Sequence, residues 1–233
     1  MLRVLLAASP AVLEERYRGR EVFRGERVEA PLAVRVDGVG WGRRLRGFRW
    51  PRDPRVHRAL ARSAAVLVAE YGADLAFVTS DEASVVWLRG APYGGRVEKL
   101  VSVSASAVAA GVSLALGRRL FMDGRVVKLY GAGDAASYLV YRARVGFNNY
   151  VSSLYHSLVG GGGRTPGLGE MLAGLRARGV DPSVPPWAGL GSCVLRLPSV
   201  RRVGGVAVER RRLVVLDTVG PCLEALGASP RAL

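Results

Sequence analysis

The sequence predicts an α+β fold with an antiparallel sheet, and the order of the predicted elements is the main observation. Short apolar runs bounded by glycines or polar residues predict strands, whereas longer stretches with apolar residues at helical spacing predict helices. Along the chain these elements follow the order strand, helix, strand, strand, helix, strand. That order is typical of the split βαβ, or ferredoxin-like, arrangement. We therefore expect one sheet with helices on one face, plus a smaller C-terminal extension.

The first part of the chain supplies the elements of this sheet. Leu32 to Asp37 is the first clear apolar run, and Gly72 ends the helix after it in the manner of a C-terminal cap. The polar break at 80–82 separates two apolar runs, which predicts a β-hairpin. The predicted elements are a helix near 14–18, a strand over 32–37, a helix over 56–71, strands over 74–79 and 83–88, a helix over 97–116, a turn at 123–124 and a strand over 125–130.

The second part of the chain is less regular. The glycine run 160–163 predicts a linker, and the run Arg210 to Arg212 predicts a solvent-exposed turn between two strands. The predicted elements are helices over 133–145, 148–158 and 168–177, and strands over 194–197, 203–208 and 213–216. We expect the chain to divide into a main domain over 1–158 and an extension over 159–233 that packs on it.

Composition restricts the class of protein and of partner. The net charge is +15, and the basic residues are almost all arginine, since the chain has two lysines, Lys99 and Lys128. Such an excess of positive charge indicates a polyanionic partner, and nucleic acid is the usual one. The two cysteines form no CxxC pair and the two histidines no HExxH motif, so neither a zinc site nor a disulfide framework is indicated. Serines interrupt the apolar run 100–116, which predicts a buried helix in a soluble intracellular protein.

Two carboxylates are predicted to meet although they are far apart in the sequence. Right-handed crossovers make the first two strands run the same way, so Asp37 at the end of one strand lies beside the hairpin tip that carries Asp81. Carboxylates within about 4–6 Å repel one another unless a cation lies between them. Magnesium prefers one or two carboxylates with substrate phosphates. Glu82 is adjacent, and the carbonyl of Gly38 can complete the coordination.

A glycine-rich turn and a basic helix start add phosphate-binding groups. Backbone amides in a turn of glycines form a concavity that binds anions, and the turn after Asp37 contains Gly38, Gly40 and Gly42. Arg96 and Lys99, one helical turn apart, can reach phosphate oxygens. Each feature also has a simpler interpretation: a plain turn, exposed surface residues or a solvated hairpin tip. Trp41 is either a core residue or a stacking surface for a base.

Five segments together resemble the tRNA-His guanylyltransferase family and its Thg-like branch. They are RVDGVGWGRR, FVTSDEASVVW, GGRVEKLVSVSAS, FMDGRVVKLY and VGFNNYVSSLYHSLV, and the resemblance covers roughly residues 30 to 195. It implies a polymerase-like palm over 1–158 that uses two Mg²⁺ ions. It also implies nucleotide addition to the 5′ end of tRNA in the reverse, 3′-to-5′ direction, with ATP or GTP as the activating and donor nucleotide.

The resemblance assigns roles to individual residues. Asp37, the Gly38 carbonyl and Asp81 match metal ligands, and Glu82 joins the two aspartates as a catalytic residue. The nucleotide-binding residues are Asp37, Gly38, Val39, Gly40, Trp41, Gly42, Arg43, Ser80, Asp81, Arg96, Lys99 and Asn149, the last from a paired-asparagine motif with Asn148. The family commonly has Arg at position 39, and His at positions 42 and 146. The two glycines here favour templated repair over strict guanosine addition to tRNA-His.

The predicted activity is therefore metal-dependent nucleotidyl transfer to tRNA, either to tRNA-His or to a tRNA truncated at its 5′ end. The predicted partners are tRNA and nucleoside triphosphates, with no membrane, and the resemblance implies a cytoplasmic homo-oligomer, a tetramer. Two alternatives are a palm-type nucleotide cyclase and a non-catalytic RNA-binding protein with a palm fold. The hairpin carries Ser-Asp-Glu instead of a cyclase signature, and the retained Asp37, Asp81 and Glu82 argue against a non-catalytic protein.

Overall fold

One six-stranded sheet forms the centre of the protein. The computed structural model describes residues 1–7, 9–160 and 166–228, so the predicted linker lies outside the described residues beyond Gly160. The strands are β1 (Leu32–Gly38), β2 (Leu75–Thr79), β3 (Glu82–Trp87), β4 (Met122–Lys128), β5 (Ser192–Val203) and β6 (Val206–Asp217). They pair antiparallel in the order β4-β1-β3-β2-β5-β6. The first four strands have the ferredoxin-like order, so the predicted fold class is confirmed.

Helices precede, connect and follow these strands. The α-helices within the described residues are α1 (Leu2–Ala7), α2 (Pro10–Arg18), α3 (Trp41–Arg44), α4 (Pro54–Glu70), α5 (Val97–Leu116), α6 (Ala132–Leu158), α7 (Leu168–Arg176), α8 (Pro186–Leu190) and α9 (Gly220–Ala225). The start of α4 is set by its sequence, because Asp53 accepts the backbone N–H of Arg55 at 2.8 Å and Pro54 occupies the first turn. This cap fixes the end of the arginine-rich segment 45–53 that precedes α4, here called the basic loop.

The sheet has a hydrophobic core on each face. On one face, α4 and α5 pack on side chains of β1 such as Val34 and Val36. On the other face, α6 and α9 pack on Ala33 and Phe77. We expected helices on one face of the sheet only. The α4–α5 layer fits this expectation, but α6 and α9 form a second layer on the other face that was not expected. Because strand side chains alternate between faces, Asp37 lies on the α6 side of the sheet.

Helix α5 is the one helix in the described part of the chain that is long and apolar enough to cross a membrane by length and composition. Its buried residues Leu100, Ser104, Val108 and Val112 recur at helical spacing. Three of them, Leu100, Val108 and Val112, belong to the core formed with α4 and β1. The same length and composition are found in core helices of soluble proteins, and the buried stripe places α5 in the core.

Two predicted breaks were wrong because glycines there serve packing. The predicted turn at Asp123–Gly124 lies inside β4, where Gly124 pairs with Val36. A Cβ atom on Gly124 would lie 3.0 Å from the carbonyl oxygen of Val101, so glycine lets α5 approach the strand. Similarly, the two helices predicted around Gly146 are one continuous helix, α6.

The C-terminal strands are longer than predicted and form a projecting ribbon. The chain turns at Gly204 and Gly205, whose φ values of 57° and 84° suit a two-residue hairpin turn. The predicted turn at Arg210–Arg212 was wrong, because these arginines lie within β6. Strand β5 pairs with β2 over four residues, from Ser192–Val78 to Leu195–Leu75. Beyond residue 195, β5 and β6 pair with each other and with no other strand of the described sheet.

A disulfide between Cys193 and Cys222 corrects the expectation that no disulfide was indicated. Cys193 lies on β5 and Cys222 on α9, and their Cα atoms are 5.6 Å apart, within the range that a disulfide requires. Both cysteines are fully buried. Sequence spacing contained no signal for this bond, because the return of the chain from β6 to α9 brings the two residues together.

Candidate active site

The carboxyl end of β1 and the β2–β3 hairpin form an acidic cluster. Asp37 pairs with Glu82 on β3 and with Asp123 on β4. The backbone N–H of Gly38 donates to the carbonyl oxygen of Asp81 at 3.0 Å. The structure thus brings Asp37 beside Asp81, as the strand order predicted. It also adds Asp123, which was predicted to lie in a turn.

Electrostatic repulsion is concentrated on Asp37. Burial, together with the charges of Asp81, Glu82 and Asp123, raises the pKa of Asp37 from 3.8 to about 6, while the charge of Arg35 opposes this rise. Arg35 and Arg125 lie 3.8 and 3.6 Å from Asp37 Oδ2. These two arginines do not offset the surrounding acids, so Asp37 has an excess of negative neighbours that a further cation would relieve.

Glu82 is less available than the two aspartates. Arg142 of α6 donates two hydrogen bonds to its carboxylate, one from Nε to Oε1 at 2.8 Å and one from Nη2 to Oε2. Both side chains are buried. A bidentate, buried pair holds each partner in one orientation. Glu82 therefore lies beside the cluster with both oxygens engaged.

The donor set suits a hard divalent cation. Two carboxylates, Asp37 and Asp81, lie beside the backbone of Gly38, and oxygen ligands of this kind are those that Mg²⁺ prefers. Within the described residues no three His, Cys, Asp or Glu side chains converge as a complete metal site.

A cavity of about 250 Å³ adjoins the acidic cluster. It lies between α3, the basic loop before α4, the β2–β3 turn and α6. Five predicted site residues line it: Trp41, Gly42, Ser80, Asp81 and Asn149. Three other residues of the glycine turn do not line the cavity and are exposed: Val39, Gly40 and Arg43.

Trp41 fixes the shape of the glycine turn. Its side chain is buried, and its indole N–H donates to the carbonyl oxygen of Phe121 at 3.0 Å. A Cβ atom on Gly38 would lie 2.6 Å from the Trp41 ring, so a residue with a side chain at position 38 would displace the ring. Gly40 has a φ of 66°, which favours glycine. Of the two interpretations of Trp41, the structure supports the core residue, which also forms a cavity wall.

Arg52 is a cavity residue that the sequence did not single out. Its Nη1 donates to Ser80 Oγ at 2.7 Å, and Ser80 Oγ donates to Asp81 Oδ1 at 2.8 Å. Its Nε is buried and has no hydrogen-bond partner within the described residues. Burial lowers the pKa of Arg52, although the guanidinium stays charged, and the charge of Asp81 partly offsets this effect. The only sequence signal for Arg52 was its position in a basic loop between two prolines.

The two glycines that depart from the resembled family differ in their surroundings. A Cβ atom on Gly146 would lie 2.1 Å from Thr79 Oγ1, so glycine there allows α6 to contact β2. Around Gly42, by contrast, a Cβ atom would meet nothing within 4 Å. A side chain is therefore excluded by packing at position 146 and accommodated at position 42. Asn148, close to Gly146, has a buried Oδ1 without a partner within the described residues.

Arg96 and Lys99 are not brought to the acidic cluster by any contact in the described part of the chain. Both are exposed, at the N-terminal end of α5. Helix α5 packs on the sheet face opposite the side chain of Asp37. Their predicted contact with a triphosphate stays a prediction.

Comparison with known families follows the same residues. The family model described as tRNAHis guanylyltransferase matches residues 25–129. Over this segment the chain is similar to the tRNA-His guanylyltransferase family, in agreement with the resemblance seen in the sequence. The match contains both aspartates and the glycine turn, together with Arg96 and Lys99. The family consists of nucleotidyltransferases, so the recognition and the enzyme class expected from the sequence are confirmed.

Solved structures extend the likeness to nearly the whole chain. A bacterial tRNA-His guanylyltransferase-like protein in complex with GTP has a TM-score of 0.73 at 20% identity, over 92% of this chain and 96% of the other. One in complex with ATP has a TM-score of 0.68 at 20% identity, over 88% and 92%. The Saccharomyces cerevisiae tRNA-His guanylyltransferase has a TM-score of 0.58 at 18% identity, over 84% and 96%. At these identities the likeness shows the shared fold. A comparison with curated proteins found no significant match.

Proposed function

We propose that this protein adds nucleotides to the 5′ end of tRNA in the 3′-to-5′ direction, with a nucleoside triphosphate and Mg²⁺. One observation carries the proposal: Asp37 and Asp81 converge beside a cavity whose wall holds a partly buried cation, Arg52. A metal-bound triphosphate is a ligand that needs carboxylates on its metal side and a cation on its phosphate side. The similarity of residues 25–129 to a nucleotidyltransferase family agrees with this chemistry.

The residues divide into binding, orienting and charge-balancing roles. Asp37, Asp81 and the Gly38 carbonyl would hold Mg²⁺, which when bound activates an attacking oxygen and stabilises a leaving phosphate. Ser80 and Arg52 orient Asp81 through two consecutive hydrogen bonds. Because Glu82 is engaged by Arg142, we assign it the role of holding β3 and α6 together beside Asp37. Arg96 and Lys99 remain proposed contacts to phosphate.

The nucleotide part of the proposal draws on the bound states of the structural neighbours. Two structures of a bacterial guanylyltransferase-like protein with the same fold are complexes, one with ATP and one with GTP. The cavity beside Asp81 is bounded by Trp41, Trp50 and Asn149, which offer apolar surface and an amide. These groups are of the kind that hold a base while the carboxylates hold the phosphates.

The RNA part of the proposal rests on the β5–β6 ribbon. Its register pairs Leu197 with Arg212, Ser199 with Arg210 and Arg201 with Val208. Paired residues share a face, so Arg201, Arg210 and Arg212 form one row, and all three are exposed. Within the described residues these three arginines form no ion pair, and a row of such arginines on a projecting ribbon is suited to phosphates of a folded RNA. The resemblance further implies a cytoplasmic tetramer away from membranes, and light scattering at several protein concentrations tests the oligomeric state.

Templated repair remains the proposed preference, and it now rests on Gly42. Gly42 lines the cavity and leaves open space where a histidine side chain would project. Gly146 lies under Thr79 and cannot carry a side chain without displacement, so it says nothing about the substrate. We expect Gly42→His to raise the efficiency on tRNA-His with an unpaired discriminator position, relative to a truncated tRNA opposite a template base. An unchanged ratio would remove the argument for templating.

The test of the function uses the full chain, ATP, Mg²⁺ and a 5′-monophosphorylated tRNA that lacks its first nucleotide. We expect a product longer by one templated nucleotide, and Asp37→Ala or Asp81→Ala should abolish it while circular dichroism stays unchanged. The matched control is Glu98→Ala, an exposed acid in the first turn of α5. Wild-type addition by either aspartate variant would remove that residue from the site. A cyclic nucleotide product, or binding without addition, would instead support a cyclase or a non-catalytic protein.

A further inference from the structure

A second cavity, of about 340 Å³, lies between α4, α8 and the two C-terminal strands. It is separate from the cavity beside Asp81, and the two share one wall residue, His57. Its other polar and aromatic lining residues are Arg58, Arg62, Trp187, Ser192 and Asp217. None of these was assigned a role in nucleotide addition, so the cavity needs an explanation of its own.

A directional hydrogen-bond chain joins three of these residues. Ser192 Oγ donates to Asp217 Oδ1 at 3.3 Å and lies 2.8 Å from His57 Nε2. Because the single hydroxyl hydrogen is used toward Asp217, His57 Nε2 is the donor to Ser192. Burial, with the charges of Arg52 and Arg58, lowers the pKa of His57 to about 4, so the ring is neutral at pH 7. The chain orients the carboxylate of Asp217, which lines the cavity, and it engages Oδ1 and not Oδ2.

The charged residues of this cavity have no ion-pair partners in the part of the chain that the structure describes. Among the described residues, Asp217 forms no ion pair, and neither Arg58 nor Arg62 has an acidic partner. Arg58 and Arg62 are exposed and lie one helical turn apart on α4, so both guanidinium groups project from one side of the helix. A ligand that satisfies both ends carries hydrogen-bond donors toward Asp217 and an anion toward the arginines.

Trp187 determines what lies between those ends. Its ring packs against His57 with centroids 5.1 Å apart, and it is partly exposed at the cavity. An indole ring is a common stacking surface for a nucleobase. Among the bases, guanine presents two adjacent N–H donors on its Watson–Crick edge, which match the two oxygens of a carboxylate. Adenine places an acceptor nitrogen beside its donor, and that nitrogen would face Asp217 unfavourably.

We propose that this cavity binds a guanosine monophosphate unit, with the base against Trp187 and Asp217 and the phosphate on Arg58 and Arg62. The inference goes beyond nucleotide addition, since it holds whether or not the acidic cluster is catalytic. The same unit can come from a free guanine nucleotide or from a guanosine within RNA. Both sources present the same base edge and one phosphate.

Isothermal titration of the full chain with GMP and with AMP, in EDTA, tests the proposal. EDTA removes the divalent ion on which triphosphate binding at the acidic cluster depends. We expect GMP to bind at least tenfold more tightly than AMP, and Asp217→Asn to weaken GMP binding roughly tenfold to a hundredfold. Trp187→Leu should weaken it over a similar range, because base stacking is lost. Equal binding of AMP and GMP would overturn the guanine assignment.

Matched controls separate the two cavities and folding effects. Glu98→Gln, an exposed acid on α5, and Asp81→Ala, in the other cavity, should leave GMP binding unchanged. Thermal melts of each variant show whether the fold is retained, and Trp187→Leu keeps the hydrogen-bond chain that Asp217→Asn alters. Loss of GMP binding in Asp81→Ala but not in Asp217→Asn would place GMP in the first cavity and overturn the proposal.

A second probe identifies the source of the guanosine. It is a 5′-phosphorylated RNA oligomer that begins with an unpaired guanosine, titrated into the same variants. If the oligomer binds with the same dependence on Asp217 and Trp187 while GMP does not bind, the natural ligand is a guanosine of RNA. If GMP binds with that dependence, a free nucleotide suffices. If neither probe responds to Asp217→Asn or Trp187→Leu, the cavity is not a nucleotide site.

Discussion

Among single residues, Asp37 carries the strongest conflict between stability and the proposed chemistry. Burial of its carboxylate and the nearby charges of Asp81, Glu82 and Asp123 together raise its pKa to about 6. The folded protein therefore binds a proton at Asp37 more readily than the unfolded chain does. The corresponding stabilisation is fully present below pH 3.8 and is lost as the pH rises through about 6. At pH 7 the charged Asp37 costs stability, which a bound cation offsets.

The first prediction follows from the direction of the pKa shift of Asp37. Without divalent metal at pH 7, Asp37→Asn should stabilise the fold by about 1 kcal/mol, a value reduced for partial exposure to solvent. The same variant should lose nucleotide addition. Thermal melts at pH 7 with and without Mg²⁺ provide the measurement, and Mg²⁺ should raise the melting temperature of the wild type but not of Asp37→Asn. Glu98→Gln is the control, and a destabilised Asp37→Asn would contradict the assigned electrostatics.

Contacts between elements explain which parts of the fold the sequence predicted. Apolar periodicity placed β1, α4, the β2–β3 hairpin and α5 within about two residues of their observed bounds, because each element is long and its pattern is local. The sequence predicts breaks at Gly124 and Gly146. Both predictions were wrong because the role of each glycine depends on a contact with a residue distant in sequence, Val101 or Thr79. The β5–β6 ribbon was underestimated, because exposed strands lack the alternation that buried strands show.

The sequence also predicted only part of the candidate site, namely the part that follows from the order of the strands. Strand order alone was enough to bring Asp37 to Asp81, since topology fixes which strand ends share an edge. Arg52 and Arg142 escaped prediction because their partners, Ser80 and Glu82, come from other elements, and arginine is too frequent in this chain for one to stand out.

Packing between α6 and β2 gives the second prediction. Gly146→Ala places a methyl group 2.1 Å from Thr79 Oγ1, so it should destabilise the protein by about 1–3 kcal/mol. Adding Thr79→Ala removes the clashing oxygen and should recover part of that loss. Urea denaturation of both single variants and of the double variant measures the coupling. Gly42→Ala, which meets nothing within 4 Å, is the control. Additive effects of the two substitutions would show that the contact is absent.

The third prediction concerns the arginine row on the ribbon. Replacing Arg201, Arg210 and Arg212 by Gln should reduce the slope of log affinity for tRNA against log salt by about 2, because each phosphate contact contributes about 0.7–0.9. Fluorescence anisotropy over a salt series measures the slope. A control with Arg16, Arg18 and Arg20 replaced by Gln removes the same charge from the N-terminal segment. If both triple variants change the slope equally, net charge and not the ribbon governs binding.

For the whole molecule, the disulfide joins the C-terminal segment to the sheet. Cys193 is the second residue of β5, the strand that extends the sheet beyond β2, and Cys222 lies on α9, which covers one face of the sheet together with α6. The bond therefore closes a segment that contains the entire β5–β6 ribbon. Because the free ribbon has few buried side chains, its attachment depends on residues 192–195 and on this bond. The predicted boundary at residue 158 does not separate this part from the sheet.

The fourth prediction is that this bond contributes to the stability of the whole protein. A sequence separation of 29 residues corresponds to roughly 3–4 kcal/mol if the bond acts by restricting the unfolded chain. Denaturant unfolding with and without reductant measures the contribution, and counting free thiols by mass spectrometry establishes the starting state. A Cys193→Ala, Cys222→Ala double variant should match the reduced wild type and should not respond to reductant. Equal midpoints for oxidised and reduced protein would mean that packing of α9 against β2 and α6 alone holds the C-terminal segment.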